Sequence, residues 1–237
     1  MKNLLAAALL PAVALMWYIR KKDRIEQEPM PLVLSLLGLG AATVISALIL
    51  ETVGGWITSA LPVPNTVYLI LEYFIVVAGS EELGKFVVMK LRTWKSPEFN
   101  YTYDAIVYAV AASLGFAALE NIMYVFTNGG FSTAILRALT AVPGHAVFGV
   151  FMGVHYGLAK RANARGDKGT ETRELFLAYL IPVLIHGFYD FCLSAEGWFW
   201  IVIFFIFYIT MIIVAFIKVK HLSDTDAPVD QDAYQRF

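Results

Sequence analysis

The stretch NTVYLILEYFIVVAGSEELGKFVVMK, residues 65–90, is apolar almost without interruption and then places Glu81, Glu82 and Lys85 within five positions. A membrane-spanning helix needs about 20 largely apolar residues, and this run supplies them. A charge inside such a span costs about 2.5–3.5 kcal/mol on insertion scales, so three together mark a functional site by default. The reading of this stretch decides the fold. If it crosses a membrane, the chain is a helix bundle with ionisable groups in its interior.

The rest of the chain agrees with a membrane bundle. Of its 237 residues, 59% are hydrophobic and 16% charged, and the mean hydropathy is +0.65. Soluble domains are about 45–50% apolar and about 25% charged. Seven spans are predicted, at 3–19, 30–51, 66–89, 104–126, 132–159, 174–194 and 198–217. The fold class is all-α, a polytopic membrane helix bundle whose core comes from spans three to six. One membrane domain over 1–220 is expected, followed by a polar, disordered cytoplasmic tail over 221–237. The first segment ends in MWYIRKKDR rather than in a small-residue cleavage site, and is read as a retained span. All Lys and Arg except Lys2, Lys85 and Arg137 fall in the segments 20–29, 90–103, 160–173 and 218–237. Cytoplasmic loops carry this excess. The expectation is a cell-membrane protein with its N-terminus outside and its C-terminus in the cytoplasm. The single cysteine, Cys192, leaves no intrachain disulfide or cysteine metal cluster. The net charge of -1 identifies no partner beyond membrane lipid, and no nucleic acid is expected.

Further ionisable and polar groups lie deep in four consecutive spans. They are Glu72, Glu81, Glu82 and Lys85, then Glu120 and Asn121, then His145 and His155, then His186 and Asp190. Residues three or four apart share a helix face, so Glu81 stacks with Lys85 and His186 with Asp190. Pro143 is expected to kink span five just before His145. His145 also begins a file with Gly149, Gly153 and Gly157, and small residues at that spacing let a neighbouring backbone approach closely. Glu and His ligands with an open position make a catalytic zinc site, and a further carboxylate can then act as base. The same groups could instead activate water without a metal. HExxH, the zinc-protease helix signature, is absent from the sequence.

EELGK (81–85), GFAALENIMY (115–124), HAVFG (145–149) and HGFYD (186–190) occur in this order on successive spans. The chain thereby resembles the PrsW family of intramembrane proteases, in a wider superfamily with CAAX prenyl endopeptidases and bacteriocin-processing proteins. DRIEQEPMP (23–31) is similar to that family's acidic loop after the first span, and the resemblance covers about residues 5–195. Glu120, where prenyl endopeptidases typically carry His, favours the PrsW branch. The resemblance implies cleavage of a peptide bond in or beside a transmembrane segment, with a single-span anti-sigma factor as substrate. It implies matching roles for Glu81, Glu82, Glu120, His145, His186 and Asp190.

On this basis Glu81, Glu120, His145 and His186 are expected to hold Zn2+ or a water, and the other glutamate of the pair to be base or partner. Lys85 neutralises Glu81 or stabilises the oxyanion, Asn121 is a candidate oxyanion donor, and Asp190 orients His186. His155 and Glu72 are read as helix contacts, and Cys192 as a small buried hydrophobe. The competing readings are a proton-coupled transporter or channel, which also needs ionisable groups at mid-depth, and a non-catalytic scaffold of the same fold.

Overall fold

The computed structural model describes residues 2–230, and these are helical along most of their length. The helices are α1 (Lys2–Lys22), α2 (Met30–Ser59), α3 (Asn65–Ile70), a π-helical turn (Leu71–Val77), α4 (Ala78–Thr93), α5 (Asp104–Asn128), α6 (Gly130–Leu139), α7 (Ala141–Ala164), α8 (Lys168–Ser194) and α9 (Trp198–Asp224). Among the described residues, six segments are long and apolar enough to cross a membrane. They begin at residues 3, 30, 104, 130, 168 and 198. The predicted third span is a different object. It is a rod over 65–93 in which the π-helical turn joins α3 to α4. A π turn widens the helix by one residue and is frequent at functional sites. Here it lies just before Glu81 and Glu82.

Two boundaries differ from expectation. α2 runs on to Ser59, so Glu51 lies inside a helix rather than at its end. The predicted fifth span is broken at Thr140 into the short α6 and the long α7. Pro143 does not kink a continuous helix. It sits in the first turn of α7, where its missing N–H costs nothing. Residues 221–224 complete α9, Asp226 accepts hydrogen bonds from Thr102 Oγ1 and the Tyr103 amide, both 2.9 Å, and the Val229 amide donates to Asn100 O. The remainder, 231–237, lies outside the described residues.

α5 is the central post. Ile106, Tyr108, Val110 and Leu114 are fully buried, and α1, α2, α4, α6 and α7 pack around it. A helix apolar on all faces belongs in such a position. Glycines set its closest contacts. A Cβ on Gly40 of α2 would strike the Ala112 backbone, and one on Gly115 would strike that of Leu37. On α7, a Cβ at Gly149 would lie 2.9 Å from Val110 Cα, and one at Gly153 2.7 Å from Ala105 O. The glycine file therefore seats α7 on α5. α9 covers one side and turns Phe205, Ile206, Ile209 and Ile213 outward, as a lipid-facing helix does.

The acidic loop between α1 and α2 is held at the end of the bundle where α5 begins. Tyr108 donates to Glu28 Oε2 at 2.8 Å, the Glu28 amide donates to Asp23 Oδ2 at 3.3 Å, and Arg20 donates to Glu28 O. Burial pushes the Asp23 carboxyl up to about 6 and the Glu28 carboxyl to about 7.

Candidate active site

Glu120 lies 12 residues beyond Tyr108 on α5, about 18 Å further along the axis at 1.5 Å per residue. At that level four elements bring their polar residues together. α4 contributes Glu81, Glu82 and Lys85 from its first two turns, and α5 contributes Glu120. α7 contributes His145 from its N-terminal end, which the break at Thr140 and the glycine contacts place against α5. α8 contributes His186 and Asp190. Beside them is a cavity of about 360 Å3 whose wall includes Glu51, Glu81, Glu120, Arg137, His145, His186 and Asp190, with Glu82 and Lys85 buried behind it.

Lys85 stands at the centre. Its fully buried Nζ donates to Glu81 Oε2 at 2.9 Å and Glu82 Oε1 at 2.8 Å, reaches His145 Nδ1 at 3.2 Å, and lies 4.0 Å from the Phe116 ring centre. An ammonium can only donate, so His145 Nδ1 is the acceptor and the ring proton is on Nε2. That nitrogen faces Glu120 Oε2 at 3.0 Å, which agrees with the assignment. Glu120 Oε2 also accepts from Arg137 Nη2 at 2.7 Å. His186 is gripped from both sides, with Nδ1 3.0 Å from Glu82 Oε1 and Nε2 3.2 Å from Asp190 Oδ2. The two imidazoles stand 5.4 Å apart and nearly perpendicular.

The groups whose donor atoms all approach within 4.8 Å of one another are Glu81, Glu82 and His145. This differs from the expected set of Glu81, Glu120, His145 and His186. Glu120 is one contact out, behind His145. Both nitrogens of His186 face carboxylates, so neither presents a lone pair to the centre. The chemistry of the convergent set suits a divalent ion: hard carboxylate oxygens, an imidazole nitrogen, and a buried Glu82 Oε2 with no hydrogen-bond partner among the described residues.

Asn121 does not face the cavity. Its side chain is turned toward α1 and Arg137, while Glu120 lines the cavity. It is fully buried, donating to Ala8 O of α1 at 2.7 Å and accepting from Arg137 Nε at 3.0 Å. Its expected role as an oxyanion donor is therefore not open to it. Arg137 holds both neighbours and also packs on the Tyr124 ring at 4.1 Å. Arg137 and Glu51 also line the cavity and belong to none of the motifs read from the sequence. Their signal was a lone charge in otherwise apolar sequence. Elsewhere, His155 pairs with Glu174 at 2.8 Å, Glu72 accepts from Thr58, and Cys192 is buried.

The profile of the PrsW family of intramembrane metalloproteases matches residues 28–217. Protease PrsW of Oceanobacillus iheyensis is 35% identical over 224 residues, covering 94% of this chain and 98% of that protein. Protease PrsW of Geobacillus kaustophilus is 37% identical over 202 residues, 84% of this chain and 83% of that one. Protease PrsW of Bacillus subtilis is 33% identical over 201 residues, 81% and 83% of the two chains. No solved structure matches the chain. The transporter and scaffold readings give way to a peptidase. With its family profile spanning most of the helical bundle and its acids and imidazoles gathered around one cavity, the chain belongs to the PrsW family of intramembrane metalloproteases.

Proposed function

We propose that this protease cuts a single-span membrane protein of the anti-sigma-factor kind, at a peptide bond presented to the cavity from the outer side of the membrane. The observation that carries the reading is the convergence of Glu81, Glu82, Glu120, His145 and Arg137 beside a cavity within a membrane bundle. The orientation has the N-terminus outside and the C-terminus in the cytoplasm. It is supported by the Lys and Arg segments, whose described residues lie around the ends of α1, α4, α7 and α9 away from the cavity. Residues 1–220 act as one catalytic domain. The kinship with CAAX prenyl endopeptidases and bacteriocin-processing proteins is part of this reading, on the shared order of motifs.

Glu81, Glu82 and His145 would hold a Zn2+ ion, which supplies Lewis acidity and lowers the pKa of bound water to about 7. The chain's own residues do the rest. Glu120 is fixed through Oε2 by Arg137 and His145. Its Oε1, which has no hydrogen bond among the described residues, takes a proton from the attacking water and returns it to the leaving amine. Arg137 Nη1, likewise without a partner among the described residues, is the donor for the developing oxyanion in place of Asn121. His186, held by Glu82 and Asp190, keeps Glu82 aimed at the centre.

The test uses the full chain in proteoliposomes with single-span reporters, some of them anti-sigma-factor segments. Cleavage at the outer end of the reporter span, lost in Glu120→Gln and with a zinc chelator, is the expected result. Cleavage at the cytoplasmic end would overturn the orientation. Full activity of Glu120→Gln would overturn its role as base.

A further inference from the structure

The three groups that converge as metal donors converge on a side chain. Lys85 Nζ lies 2.9 Å from Glu81, 2.8 Å from Glu82 and 3.2 Å from His145, and those are the residues whose donor atoms fall within 4.8 Å of one another. The one lone pair His145 has for a metal, on Nδ1, is aimed at the ammonium. We propose that Lys85 is a resident counter-ion of the donor set, and that a divalent ion enters only by displacing it. This rests on the assignment of Glu81, Glu82 and His145 as the metal-holding residues.

The dimensions support exchange rather than coexistence. Tetrahedral donors about 2.9 Å from a centre stand about 4.7 Å apart, whereas donors at a zinc distance of about 2.1 Å stand about 3.4 Å apart. The three contacts to Nζ, 2.8–3.2 Å, are the distances of a cage around an ammonium and are longer than zinc–ligand bonds. Contraction onto an ion would bring the three donors into the volume that Nζ now fills, and two cations cannot share it at such separations. Lys85 has a place to go. The site adjoins the cavity, and the face of Phe116 already lies 4.0 Å from Nζ. A resident ammonium also answers a folding problem. Two adjacent glutamates buried in the bundle would be uncompensated during membrane insertion before any metal arrived, and an i,i+3 and i,i+4 lysine neutralises them from within one helix.

The experiment is a Co2+ titration of the purified full-length protein in detergent, in competition with a chromophoric chelator and read by cobalt ligand-field bands. It compares the wild type with Lys85→Gln and Lys85→Met. The expected result is binding at least about tenfold tighter in both variants, because the competing cation is gone. Equal or weaker binding in folded variants, with clear binding by the wild type, would overturn the exchange and leave the metal assignment standing. Binding by none of the three, with cleavage undiminished by chelator, would overturn the metal assignment and the exchange with it. Wild-type kinetics give a second test that needs no variant to fold. Departure of Lys85 must precede uptake, so the rate of Co2+ binding levels off as Co2+ increases. A rate that rises linearly throughout would refute a displacement step.

Discussion

Gly115→Ala sets two effects of opposite sign against each other. In an ordinary helix interior the change gains about 0.8–1 kcal/mol, since Gly is the poorer helix former. At Gly115 the new Cβ would lie 2.7 Å from the Leu37 carbonyl carbon and 2.8 Å from Leu37 Cα, where ordinary contact begins at 3.4 Å. The obstacle is backbone and has no rotamer to escape into. The Leu37 carbonyl oxygen lies closer still, so α2 and α5 must separate by about 1 Å or more, loosening the dispersion contacts along the whole seam. Overpacking of this sort costs about 1–3 kcal/mol, and rigid backbone places it at the upper end. The net expectation is destabilisation by about 1–2 kcal/mol, after subtracting the propensity gain. The same separation moves Glu51 on α2 relative to Glu120 on α5 across the cavity. A displacement of about 1 Å can lower a rate about 10²-fold. The control is Gly38→Ala on α2, where nothing lies within 4 Å of the added Cβ and only the propensity gain remains. Thermal unfolding in detergent and reporter cleavage measure both outcomes. If Gly115→Ala melts at or above the wild type, as Gly38→Ala is expected to, the backbone contact does not limit α2 and the reasoning is wrong.

Asn121→Ala removes the acceptor for Arg137 Nε and the donor to Ala8 O. It should lower stability by about 1–3 kcal/mol while cleavage stays within about tenfold of wild type; loss of cleavage at unchanged stability would restore Asn121 to the chemistry. Arg137→Lys keeps the charge but not the fork that spans Glu120 and Asn121. It should lower kcat about 10²–10³-fold with KM within a few-fold, and a pure KM effect would contradict an oxyanion role. The loop carboxyls give a pH dependence of definite sign. Asp23 and Glu28 titrate at about 6 and about 7 in the fold, against 3.8 and 4.5 without it. Between those limits the folded chain keeps protons that the unfolded chain has lost, so this contribution is intact at low pH and falls as pH rises through about 7. Glu28→Gln should flatten that fall in melting curves taken across the window, and an unchanged slope would assign it to other groups.

The rods and the order of their polar residues were legible in the chain. Apolar content and helical spacing are local, and charges within apolar runs stand out wherever they fall, so EELGK, Glu120, His145 and His186 could be picked out with no knowledge of contacts. Which atoms meet was not legible. The rotation of each helix is decided by tertiary packing, above all by glycines that let α2 and α7 settle onto α5. That rotation turns Glu120 into the cavity and Asn121 out of it, and brings Arg137 back from a separate short helix. It also drives Lys85 into the midst of the donors it had seemed only to flank. Sequence specifies which groups are available to a membrane bundle, because insertion depends on composition summed along one segment. Only the packed bundle specifies their partners, because a hydrogen bond depends on a few tenths of an ångström between segments far apart in the chain.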